Sequence, residues 1–237
     1  MSKKDLDRLT RMENLFLNNL LNVYKCPIPL MYWDLKLLVP QMRILKEKLL
    51  LIHHISSLPS SALSRQVLSL QEEFNFPSIL QEVKPFLNKH QIINLHEYSK
   101  EEWKRLISKR IDEDNRNFLI NWSKKYKKID TLSLECEDYE FKEYFSNLTL
   151  EYSRVKFRER SGCLRTCRTA CPSDMGNIKA NYKCFHCPEL DTGAIHWRSC
   201  KFYSKIIKSK NLNIENEADL MRYYTEIIRI RTEESGG

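Results

Sequence analysis

Glycine is scarce: the chain has five in 237 residues, and two of them close the C-terminus. Strands in series need glycine in their turns, so this scarcity favours helices. Long apolar runs are also missing, and no stretch approaches the roughly 18 residues of a membrane-spanning helix, so no membrane partner is expected. The opening Met1-Ser2-Lys3-Lys4-Asp5 lacks the uninterrupted apolar region of a signal peptide. Nor does the chain contain an Asp-Asp pair. Polymerases hold Mg2+ on paired acidic residues, usually in an aromatic-x-Asp-Asp turn between strands, and this sequence offers no such set. Polymerase chemistry is therefore not expected of this chain.

Cysteine is present, but too thinly for a disulfide scaffold. Of the eight cysteines, six fall between Cys163 and Cys200. That clustering points to a metal site in a reducing, intracellular compartment, nucleus or cytoplasm. The sequon Asn147-Leu148-Thr149 carries no meaning there.

The organising stretch is Cys184-Phe185-His186-Cys187, followed after eight residues by His196-Trp197-Arg198-Ser199-Cys200. Two cysteines separated by two residues present both sulfurs to one ion from a single turn. A His and a Cys four apart project from one helix face. Cys184, Cys187, His196 and Cys200 thus form the Cys3His set that Zn2+ takes in closed, tetrahedral structural sites. The spacer holds Pro188, Asp191 and Gly193, which suits a chain that folds back on itself. With His186 as the imidazole instead, the site is equally closed. Cys163, Cys167 and Cys171 recur at intervals of four and are read as small packing residues rather than a second site.

The charge of +8 is local. Residues 151–210 hold 13 Lys and Arg against 5 Asp and Glu, and elsewhere the 26 basic and 26 acidic residues cancel. Such a surface attracts phosphate backbones, with affinity that falls as salt rises. The candidate contacts are Arg154, Lys156, Arg158, Arg160, Arg198, Lys201, Lys205 and Lys208. Tyr182, Phe185, Trp197 and Tyr203 stand close by and could stack bases, or could fill the small core around a metal.

Apolar periodicity predicts a mainly α protein, in which a helical N-terminal part is followed by a small zinc-stabilised module and a C-terminal helix. Leu6, Leu9, Met12, Phe16, Leu20 and Val23 give a stripe over residues 5–24. Pro40 opens the next helix, which runs to about Ser57; its His53-His54 pair is assigned to packing and surface roles. Ser60 or Ser61 is expected to cap a helix to Phe74, and Pro77 to start a short one limited by Pro85. Ser99 and Glu102 make a capping box ahead of the stripe Trp103, Ile107 and Ile111. Asp112-Glu113-Asp114 reads as the start of a separate helix carrying Phe118, Trp122 and Tyr126. Thr149 caps a helix to about Leu164, and Asn216 caps the last one, with Leu220, Tyr223, Ile227 and Ile230 buried. The expected division is a helical domain over 1–130, a linker with a short helix over 131–150, and the basic module over 151–237.

These residues resemble the post-polymerase C-terminal region of non-LTR (LINE-type) retrotransposon reverse transcriptases. The likeness rests on the zinc motif with Asp191-Thr192 before His196 and Tyr203 after Cys200, on Val155-Lys156-Phe157-Arg158, and on Asp219-Leu220-Met221-Arg222-Tyr223-Tyr224. Tyr32-Trp33-Asp34-Leu35, and Leu51-Ile52-His53-His54 with Leu58-Pro59, are similar to the helical segment after the polymerase. Three residues separate His196 from Cys200, where many members carry four. The resemblance implies a non-catalytic tail that keeps nucleic-acid contacts, RNA or DNA, beside the remainder of a reverse transcriptase in the full-length relative. The competing reading is a zinc-stabilised protein–protein interaction module.

Overall fold

The computed structural model of the chain describes residues 2–23, 26–74, 76–125, 134, 137–161, 184, 186–188 and 194–235. All regular structure among these residues is helical, with no strand. The helices are α1 (Lys3–Leu21), α2 (Ile28–Asp34), α3 (Pro40–Ser57), α4 (Leu63–Glu73), α5 (Ile79–Lys89) and α6 (Lys100–Ser123). They are followed by α7 (Tyr144–Asn147), α8 (Leu150–Arg160), α9 (Ala194–Ser199), α10 (Lys201–Ser209) and α11 (Glu217–Ser235). None of them is long and apolar enough to cross a membrane.

The chain forms two compact units, each drawn from discontinuous stretches: Met1–Glu13 with Lys36–Trp122, and Asn14–Leu35 with Ser123–Gly237. The first unit is centred on α3, α5 and α6. Leu49 and Ile52 meet Val83, Phe86 and Leu87, together with Trp103, Ile107 and Ile111. The capping box holds: Ser99 N–H donates to Glu102 at 2.9 Å, and Glu102 N–H donates to Ser99 Oγ at 3.3 Å. It fixes the start of α6, so that Trp103 is buried one turn in and donates from Nε1 to the Leu49 carbonyl at 3.1 Å. Fully buried Asn115 ties the entry of α3, accepting from Val39 N–H and donating to the Leu37 carbonyl, both at 3.1 Å. His53 packs as expected, stacked on Trp103 with Nε2 donating to the Tyr98 carbonyl at 3.0 Å.

The structure departs from four local expectations. Asp112-Glu113-Asp114 lies inside one continuous helix, because Asp114 is held from another element: it accepts from Lys89 Nζ at 2.6 Å and His90 Nε2 at 3.1 Å. Pro85 sits within α5 rather than ending it; burial of Leu80, Val83, Phe86 and Leu87 offsets the donor that proline lacks. That helix is capped by Ser78, whose Oγ accepts from Gln81 N–H at 3.3 Å. Ala62, not a serine, precedes α4, and it makes no side-chain cap. In α1 the buried residues are Leu17 and Leu21, whereas Leu9, Met12 and Phe16 face solvent.

In the second unit, buried α2 supplies Asp34, which is fully enclosed. Arg160 donates to both carboxylate oxygens and Tyr144 Oη donates to Oδ2 at 2.7 Å. Burial raises the Asp34 carboxyl above its usual range, and Arg160 leads the groups that oppose it. These contacts explain why residues 14–35 join the C-terminal part, although sequence patterning groups them with 1–130. Thr149 caps α8 as expected, accepting from Tyr152 N–H at 3.4 Å. Asn216 Oδ1 caps α11, accepting from Ala218 and Asp219 N–H at 3.0 and 3.2 Å. The core of this unit joins Val155, Trp197, Tyr203, Leu220, Met221, Tyr223, Tyr224 and Ile227 with Cys184 and Cys200.

Candidate metal centre

Cys184, Cys187, His196 and Cys200 converge, with one ligand atom from each lying within 4.8 Å of the other three. Cys187 Sγ is 3.9 Å from Cys200 Sγ and 3.6 Å from His196 Nε2. A tetrahedral ion with metal–sulfur bonds of about 2.3 Å sets ligand atoms roughly 3.8 Å apart, so this set fits a metal ion. Cys184, His196 and Cys200 are buried, and Cys187 is half-buried.

Local structure explains the convergence. Helix α9 carries His196 and ends where Cys200 N–H donates to the His196 carbonyl at 2.8 Å. Cys200 is extended (φ −66°, ψ 122°) and serves as the N-cap residue of α10. The kink between the two short helices turns its sulfur toward the same point as the imidazole. Trp197, fully buried, anchors α9: its carbonyl accepts from Tyr223 Oη, its ring meets Tyr224, and Arg231 lies 5.4 Å from the ring centroid. On the other side, His186 N–H donates to Cys184 Sγ at 3.4 Å, as in a turn that wraps one thiolate. Burial pushes the Cys184 thiol up to about 11; the His186 N–H opposes this and the Cys200 sulfur adds to it. A bound cation reverses that balance and takes the thiolate.

His186 is not one of the converging donors. Its ring stacks on Phe202 instead. Cys163, Cys167 and Cys171, with Tyr182 and Phe185, lie outside the described residues.

No family model matches the chain, and no curated protein or solved structure matches it.

The basic residues divide into two groups. On α8, Arg154 donates to the Leu20 carbonyl at 2.7 Å and Arg158 to the Asn22 carbonyl at 2.7 Å, so both serve the C-terminal end of α1. Arg160 is committed to Asp34 and Glu137, and Lys156 pairs with Glu159 and Glu217. Arg198, on α9, donates to Tyr224 Oη at 2.7 Å and pairs with Glu159. Lys201, Lys205 and Lys208 of α10 are exposed and enter no ion pair among the described residues. Of the aromatics, Trp197 and Tyr203 are fully buried and fill the core. Phe202 is exposed as well; the signal for it in the sequence is its position near Lys201 and Lys205 on a helical projection.

Proposed function

We propose that this chain is a non-catalytic nucleic-acid-binding module in which Zn2+, held by Cys184, Cys187, His196 and Cys200, fixes the position of a lysine-bearing helix. The observation that carries this reading is the lysine row of α10. Lys201, Lys205 and Lys208 recur at i, i+4 and i+7 on one exposed face, and the row begins at the residue after ligand Cys200. Cations left unpaired on a rigid face attract phosphate and release counterions when they bind it. Zinc suits the donors, since three thiolates and an imidazole in tetrahedral range are its structural set. Four protein ligands leave no open position for a reacting water, which supports a structural ion. The resemblance to the tail of a LINE-type reverse transcriptase agrees with this role, with the polymerase supplied by the rest of a full-length relative. None of the four described cysteines enters a disulfide, which suits a reducing compartment, nucleus or cytoplasm.

One observation favours the second reading, a protein-interaction module. Leu63, Val67, Leu70 and Phe74 form an exposed apolar stripe along α4.

Binding of the zinc-loaded chain to structured RNA, duplex DNA and single strands decides between the two. Replacing Lys201, Lys205 and Lys208 together by Gln should lower nucleic-acid affinity at least about tenfold at moderate salt. Unchanged affinity in that variant removes the case for nucleic acid.

A further inference from the structure

We infer that His186 and Phe202 form a stacking platform for unpaired bases, which makes the α10 surface selective for single-stranded nucleic acid. The inference rests on the nucleic-acid reading above and adds the class of ligand to it.

The two rings are parallel, with centroids 3.6 Å apart and an interplanar angle of 11°. Tyr203 braces both edge-on, at 5.3 Å from His186 and 5.5 Å from Phe202. Tyr203 is fully buried, whereas Phe202 keeps 37% of its surface open. The core around the metal ligands is already filled by Trp197, Tyr203, Tyr223 and Tyr224, so it does not require Phe202.

Placement ties the platform to the lysines. At about 100° per residue, Phe202 lies about 60° round the helix from Lys205, next to the row formed with Lys201 and Lys208. His186 stands between ligands Cys184 and Cys187, and its own N–H donates to the Cys184 sulfur. An ion held by those sulfurs therefore also sets the His186 ring against Phe202. Lysines beside a partly exposed aromatic ring are a combination that binds single strands: cations track the backbone and the ring takes a base. Paired bases stacked within a duplex cannot reach such a ring.

The test compares three probes of about 15 nucleotides: a single strand, the same sequence as a duplex, and an abasic single strand. Affinities are measured by fluorescence anisotropy on the zinc-loaded full chain. The single strand should bind tighter than either other probe. Phe202→Leu should lower affinity for the base-bearing strand about 5- to 150-fold and leave the abasic strand unchanged, while Phe202→Trp should retain binding. Retained metal and helix signal in each variant separate loss of stacking from loss of fold. Equal binding of all three probes, or equal losses on both strands in Phe202→Leu, overturns the platform and leaves the nucleic-acid reading standing. Absence of binding to every probe at low salt overturns both.

Discussion

Arg160 grips Asp34 from one nitrogen, its Nε donating to both carboxylate oxygens at 3.0 and 2.8 Å. Asp34 is fully buried, so removing the guanidinium leaves an uncompensated charge in the interior. Arg160→Gln should therefore destabilise the protein by about 3–5 kcal/mol in chemical denaturation. Exposed Lys205→Gln should stay within about 0.5 kcal/mol. If Arg160→Gln is as stable as the parent and lowers nucleic-acid affinity as Lys205→Gln does, the division between structural arginines and binding lysines is wrong.

Asp114 gives a pH test in the first unit. Burial raises its pKa, but hydrogen bonds from Lys89 and His90 outweigh burial, and the carboxyl sits below its usual range. A lowered folded pKa contributes stability above the unfolded value of about 3.9, and that stability is lost as pH falls through the lower folded value. Asp114→Asn should cost about 1–3 kcal/mol at pH 7. Denaturation at about pH 3 should show a smaller difference between the two proteins. A gap that widens on acidification contradicts the assignment.

The metal should be separable from most of the helix content. The first core, built on Leu49, Val83, Trp103 and Ile107, contains no ligand. Purified protein should hold about one zinc per chain, and Cys200→Ser should reduce that content sharply. Chelation should loosen the core around Trp197 and Tyr203, which includes Cys184 and Cys200, and leave most far-ultraviolet helix signal in place. Collapse of the whole helix signal on chelation contradicts this, as does full metal retention in Cys200→Ser.

Local signals were legible in the sequence where cause and effect lie within one turn. Ser99 with Glu102, Thr149, Asn216 and Pro40 each mark the helix start that the chain adopts. The metal donors belong here too, because two close pairs of ligands need only one loop to bring them together. What escaped depends on distant partners. Asp114 looks like a helix-start acid until Lys89 and His90, 25 and 24 residues earlier, come against it. Arg154 and Arg158 read as free charge until carbonyls more than 130 residues away accept from them. Periodicity showed that α1 has an apolar face, but it cannot say what covers that face, and Met12 and Phe16 are open.

The most direct measurement is a salt titration of single-strand binding for the zinc-loaded chain and its Lys201/Lys205/Lys208→Gln variant, between about 50 and ~200 mM. The parent should lose affinity linearly on a log–log plot. The variant should bind more weakly, with a slope shallower by about 2, since three phosphate contacts and their released counterions are gone. A parent affinity that ignores salt, or two slopes that coincide, contradicts a zinc-positioned lysine helix as the nucleic-acid contact.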